Sequence, residues 1–185
     1  LVYTVPDDSW RPYRVYVHDI GADIEDHLIY EEPDNTMWLG AAMSSDRSSV
    51  VITSSNSEYT EVRLIPTREP KGEPTLLIPK SAGIEYYAEP LNIAGEQHLL
   101  IQHDYNALNS ELVLADMPRE GESLEEYAQR WVPVIRHSEH VRLEGFTFTA
   151  THLVVTARAD TTTRIFLAPR EQLPIQWRRR RPAGV

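Results

Sequence analysis

The sequence predicts an all-β fold, a β-propeller segment of about three and a half to four four-stranded blades. Three observations carry that prediction. One hairpin pattern recurs four times along the chain. Each repeat holds four short strand candidates bounded by Gly, Pro, Asn, Asp or Ser. Helical character is confined to one short segment, 123–130 (SLEEYAQR).

The hairpin is plainest at 50–65 (VVITSSNSEYTEVRLI), where an apolar run, a polar turn and an apolar alternation follow one another. The same plan returns at 99–115 (LLIQHDYNALNSELVLA) and 153–168 (LVVTARADTTTRIFLA). Anchored on the second run, Val62, Leu112 and Ile165 are equivalent, each followed two places on by Leu64, Leu114 or Leu167. Val15 and Val17 hold these places in a fourth copy, with LVYT at 1–4 as its first run. The period is about 50 residues, and a blade that must bury its faces against neighbours is the physical reason to repeat it.

Taken in order, 1–21 reads as the end of a blade. Residues 26–66 read as a whole blade, with HLIYEE and MWLGAAMS as its first two strands ahead of the hairpin. The next blade is 75–118, opened by TLLIP and IEYYAEPL, and the third is 131–169, opened by WVPVIRH and VRLEGFTFTA. Residues 173–185 read as the start of a further blade or as a disordered tail. At 123–130, Ser123 and Glu126 have capping-box spacing, which predicts one short helical turn. Trp38, Tyr86 and Tyr87 fall in strand candidates and read as core between blades. An immunoglobulin-like sandwich would also give closely spaced strands, but it leaves the repeat unexplained.

The 185 residues are 41% hydrophobic and contain no cysteine, so disulfides and thiolate metal sites are excluded. No apolar run approaches the roughly 20 residues of a membrane span, which makes a cytoplasmic protein the expectation. Leu1 already lies in a strand-like run, as though the chain were cut from something longer. A net charge of −10 argues against nucleic acid and is compatible with steering of basic peptides. The four arginines at 178–181 oppose that trend and read as a solvated edge.

Motifs for chemistry are sparse. No two glycines stand four apart, which excludes G-x-S-x-G, and no P-loop, dinucleotide fingerprint or H-E-x-x-H is present. His137 and His140 flank Glu139 with a spacing that could suit a metal, but in a loop they read as surface histidines. His18, His98, His103 and His152 lie in or beside strands and read as hydrogen-bonded histidines. Among the carboxylates Glu31, Glu32, Glu58, Glu61, Glu111, Glu125 and Glu126, a pair could serve glycosidase-type catalysis. Glu61 and Glu111 are equivalent in successive repeats, however, which points to architecture. No catalytic, cofactor-binding or metal residue is assigned, and no cofactor is expected.

The elements SWRPYRVYVHDIG (9–21), DHLIYEEPD (26–34), SEYTEVRLI (57–65), LNSELVL (108–114) and LEGFTFTATHLVV (143–155) occur in order. Together they resemble the propeller of the oligopeptidase B (protease II) branch of the prolyl oligopeptidase family. The RRRRPAGV end departs from that pattern. The resemblance implies a seven-bladed propeller capping a separate C-terminal α/β-hydrolase domain. That domain would carry the Ser-Asp-His triad and most of the acidic residues that select Lys or Arg, so no catalytic residue transfers to this chain. The implied role is a lid that admits short basic peptides, and the fragment alone is expected to be inactive and to self-associate through uncovered blade faces. The alternatives are a non-enzymatic propeller acting as an interaction platform and a glycosidase-type propeller.

Overall fold

The structure is a computed structural model that describes residues 1–93 and 95–172. The expected element at 173–185, with its arginine run, lies outside the described residues. The chain divides into two compact units, residues 1–84 and residues 85 onward. The described residues form four antiparallel sheets, two in each unit, so the all-β expectation holds.

In the first unit, β1 (Val2–Pro6), β2 (Pro12–Val17) and β3 (His27–Glu31) form one sheet in chain order. The second sheet is β4 (Trp38–Met43), β5 (Ser49–Ser55), β6 (Thr60–Pro66) and the short β7 (Thr75–Leu76). In the second unit, β8 (Tyr86–Ile93), β9 (Glu96–His103), β10 (Glu111–Ala115) and β11 (Val132–Ile135) form a four-stranded sheet. The last sheet is β12 (Val141–Phe148), β13 (His152–Ala159) and β14 (Thr162–Pro169).

The sequence repeat is a repeat of register. Val15 faces Thr4, Val62 faces Thr53, Leu112 faces Gln102 and Ile165 faces Thr156. Two places on, the pairs are Val17–Val2, Leu64–Val51, Leu114–Leu100 and Leu167–Val154, apolar against apolar. Cross-strand partners share a face, so each hairpin offers apolar pairs for the next layer to cover.

The blade limits expected at 26–66, 75–118 and 131–169 are framed one strand differently from the sheets. Residues 27–31 hydrogen-bond to β2 and close the first sheet; they do not open the second. Likewise the strand at 75–76 completes the hairpin of β5 and β6, and 132–135 completes that of β9 and β10. A lone strand between two hairpins has the same linear order under either framing. Which hairpin edge it joins is settled by hydrogen bonding, which alternation of side chains does not encode.

The core of the first unit gathers Val15, Leu39, Val50, Ile52 and Ile65. In the second unit Leu100, Leu112 and Leu114 pack with Leu143, Phe146, Leu153 and Val155, so the two sheets share one core. Leu99, Leu100 and Ile101 are all fully buried, as expected of a central strand covered on both faces. Strand β14 is the opposite case: Ile165, Phe166 and Leu167 are 68%, 49% and 66% exposed.

Two aromatic expectations are corrected. Alternation in β4 turns Leu39 and Ala41 toward the core, which leaves Trp38 on the other face, exposed. Tyr87 is partly exposed, although its ring packs 5.1 Å from that of Phe146 in the neighbouring sheet. Tyr86 is buried as expected. The predicted turn of helix is α1 (Leu124–Gln129). Ser123 Oγ accepts from the Glu126 N–H at 3.3 Å and Glu126 Oε2 accepts from the Ser123 N–H at 3.0 Å. The capping box is therefore formed from both sides.

Candidate functional site

The densest polar cluster in the first unit centres on Glu32, one residue beyond β3 and fully buried. Its Oε2 accepts from Ser54 Oγ of β5 at 2.5 Å and from Tyr30 Oη at 3.1 Å. Its Oε1 accepts from Lys80 Nζ and from the Asp34 N–H, both at 3.0 Å. Lys80 lies on a short 3-10 turn, Lys80–Ala82, and its Nζ also reaches Asp34 Oδ2 at 3.2 Å. The Lys80 backbone N–H donates to Glu61 Oε2 at 3.0 Å, and Arg63 holds the other oxygen of that carboxylate. The Arg63 guanidinium covers the Tyr30 ring at 4.2 Å.

Electrostatics follow from these contacts. Burial works to raise the Glu32 carboxyl, but the Ser54 hydroxyl, the Asp34 N–H and Lys80 outweigh it and the net shift is downward. Asp34 is held at about 2, first by the Thr36 hydroxyl and N–H and then by Lys80. Burial opposes the charge on Lys80, but the two carboxylates raise its pKa overall. An ionised glutamate that accepts from a serine hydroxyl and a lysine, with no exposed face, is a poor general base and leaves Ser54 a poor nucleophile. Its chemistry is that of a latch: it ties the sheet of β1–β3 to the sheet of β4–β7.

The second unit puts different groups in the equivalent place. Ser54 faces Glu61 across β5 and β6, and His103 faces Glu111 across β9 and β10. His103 is buried, and its ring lies 4.4 Å from that of Trp131. Tyr127 packs edge-on against Trp131 at 5.4 Å, and Tyr105 does so at 6.3 Å. Among the described residues, neither His103 nitrogen nor Trp131 Nε1 has a hydrogen-bond partner. Burial without compensation pulls the His103 imidazole down to about 4.

The remaining sequence candidates are dispersed. His18 Nδ1 lies 2.8 Å from Asp26 Oδ1, and Tyr3 Oη bonds the other oxygen of that carboxylate. His98 Nδ1 is 2.9 Å from Asp116 Oδ1, and His152 Nδ1 is 2.8 Å from Thr151 Oγ1. His137 and His140 lie between β11 and β12, with Glu139 exposed between them. Among the described residues no group of three or more His, Cys, Asp or Glu side chains is placed to hold a metal ion. Glu31 pairs with Arg14 at 2.7 Å, Glu58 is exposed in the β5–β6 turn, and Glu125 and Glu126 occupy the first turn of α1. Glu61 is buried in the latch, whereas its equivalent Glu111 is half-buried. Sequence reasoning singled out Glu32 and Glu61 but missed Ser54 and Lys80. The available signal was Ser54 opposite Glu61, because a polar pair within an apolar hairpin needs partners.

Over residues 1–179 the sequence matches the family described as prolyl oligopeptidase, N-terminal beta-propeller domain. The chain belongs to that family. It is similar to Protease 2 of Moraxella lacunata, 32% identical over 114 residues that make up 61% of this chain and 16% of that protein. It is also similar to dipeptidyl aminopeptidase BI of Pseudoxanthomonas mexicana, 29% identical over 148 residues, 80% of this chain and 19% of that one. Among solved structures, oligopeptidase B from Leishmania major is 27% identical with a TM-score of 0.74, covering 91% of this chain and 22% of its own. The chain thus spans under a quarter of these relatives. Its four sheets are part of a prolyl oligopeptidase-family propeller, and no helix among the described residues is long and apolar enough to cross a membrane.

Proposed function

We propose that this chain is the lid portion of a serine-type oligopeptidase that cleaves short peptides after Lys or Arg. The family match across residues 1–179 carries the reading, and the similarity to Protease 2 and oligopeptidase B supports the basic-residue branch. The propeller encloses the active site of a C-terminal α/β-hydrolase domain, excludes folded proteins, and gates entry by domain opening. That hydrolase domain supplies the nucleophilic serine, its histidine base and the orienting aspartate. A buried ionic latch between adjacent sheets suits a wall that must keep its shape while the domain moves. The protein is cytoplasmic, and the 185-residue chain by itself does not hydrolyse peptides.

A side-by-side assay tests this reading with a fluorogenic peptide carrying two arginines before the cleaved bond. Only the complete gene product should cleave, and a serine-directed inhibitor should stop it. Cleavage by neither protein would favour an interaction platform, and inhibitor-sensitive cleavage by the isolated chain would remove the lid assignment. The bare β14 strand, with Ile165, Phe166 and Leu167 exposed, supports self-association of the isolated chain. Light scattering at high concentration checks it, and a persistent monomer contradicts it.

A further inference from the structure

The turn between β1 and β2 is built to hold one tryptophan in solvent. Asp7 Oδ1 accepts from the Ser9 and Arg11 N–H groups at 2.8 and 3.1 Å, and its Oδ2 accepts from Arg11 Nε at 2.9 Å. The Trp10 N–H donates to the Asp7 carbonyl and the Asp7 N–H to the Arg11 carbonyl, both at 2.9 Å. Within that closed turn Trp10 takes a φ of 63°, a left-handed conformation that bulky residues rarely adopt. Its side chain gains no packing in return, for Trp10 is 81% exposed.

The turn is also fixed to the next sheet. Arg11 Nη1 donates to the Met37 carbonyl at 3.0 Å and to the Asp34 carbonyl at 3.2 Å. Met37 is buried, and the next residue, Trp38, opens β4 at 58% exposure. One arginine side chain therefore ties together, at the same end of the first unit, the two segments that carry the exposed residues Trp10 and Trp38. Trp38 pairs with Ser55, so the β5–β6 turn with exposed Glu58 lies beside it. Asp8, next to the Trp10 turn, is exposed as well. The cations that hydrogen bonds place here are engaged, Arg11 with Asp7 and Lys80 with Glu32 and Asp34.

From this geometry we propose that the end of the unit carrying Trp10 and Trp38 is a docking surface for an arginine side chain of a peptide. Indole faces attract a guanidinium through their quadrupole, and Asp8 and Glu58 supply the complementary negative field. The proposal deepens the lid reading by locating where a basic peptide is first held. Its test reads no hydrolysis, so failure of the surface and failure of the lid assignment remain separate results.

The test is a titration of the full chain with acetyl-Arg-Arg amide, followed by intrinsic tryptophan fluorescence and by line broadening of the peptide in NMR. The control peptide carries citrulline in place of both arginines, matching shape without charge. Saturable binding of the arginine peptide, weakened by salt and absent for citrulline, is expected. Trp10→Leu and Trp38→Leu should each weaken binding about two- to fivefold, the range of an exposed cation–π contact. Both variants should keep the parent melting temperature, because both side chains are exposed. Should either unfold, Asp8→Asn with Glu58→Gln provides the independent arm, weakening binding and flattening its salt dependence. Equal binding of the citrulline peptide, no saturable binding, or parent-like affinity in both leucine variants would overturn the proposal.

Discussion

Ser54 and His103 hold the same position in successive hairpins, each opposite a glutamate, yet their surroundings differ in kind. The serine hydroxyl donates to a buried carboxylate that itself has a lysine, a tyrosine and a backbone N–H. The histidine packs on Trp131, against which Tyr127 and Tyr105 lie edge-on, and among the described residues neither of its nitrogens has a partner. The repeat sets where a side chain goes, whereas the connections between strands decide whether it is satisfied. Glu32 comes from the segment after β3 and Lys80 from the turn after β7. In the second unit the long β10–β11 connection, with its helix α1, brings aromatic rings to the corresponding end.

Removing the latch cation should give the largest effect. Lys80→Met leaves Glu32 without its charged partner inside the protein, and breaking a buried pair in this way costs about 3 kcal/mol or more. The partial exposure of Lys80, 30% at the side chain, places the expectation at the low end of that range. Urea unfolding monitored by circular dichroism should show it as an earlier transition. The double variant Lys80→Met with Glu32→Gln should recover part of the loss, since the uncompensated charge is then gone. No recovery would mean that the pair contributes little beyond side-chain packing.

Acid should act on the other unit first. His103 titrates at about 4 in the folded chain against 6.5 for a free imidazole. The unfolded state therefore binds the extra proton between those values, and stability falls as pH drops from about 6.5 toward 4. The full loss corresponds to roughly 3 kcal/mol, from the span between the two pKa values. In the latch the signs differ: Glu32 and Asp34 are depressed below 4.5 and 3.8. Their contribution is present above those unfolded values and is lost only as pH falls through the folded ones. Hydrogen exchange across this range should show β9 and β11 losing protection by pH 5 while β3 and β5 keep theirs. Simultaneous loss in both units would show that His103 is not the group that sets the acid response.

Much of this architecture was legible from the hairpin repeat, because Val15, Val62, Leu112 and Ile165 fix a register as well as a period. The capping box at Ser123 was legible because its chemistry is local. Sheet membership of residues 27–31 and 75–76 was not, since either neighbouring hairpin offers an edge. The latch was only half visible: Glu32 stands out as a carboxylate after an apolar strand, but Lys80 is 48 residues away and nothing local marks it as the partner. Trp38 misled because aromatic residues in strands usually face the core, and a shift of one position reverses the face.

The smallest expected effect is also the sharpest test of the contrast, because it asks whether an unpartnered polar group is worth keeping. His103→Leu removes two buried nitrogens that make no hydrogen bond to the described residues and retains most of the apolar contact with Trp131. Replacing an unsatisfied polar group by an apolar one of similar shape is close to neutral, so at pH 7 the change should lie within about 1 kcal/mol and on the stabilising side. The same variant should abolish the acid sensitivity of β9 and β11, because the titrating group is gone. At the equivalent position Ser54→Ala should instead destabilise by about 1–3 kcal/mol, since it takes a donor away from a carboxylate with no access to water. Were both substitutions to destabilise alike, His103 would have an unrecognised hydrogen-bond partner, and the two hairpins would be solving the same problem in the same way.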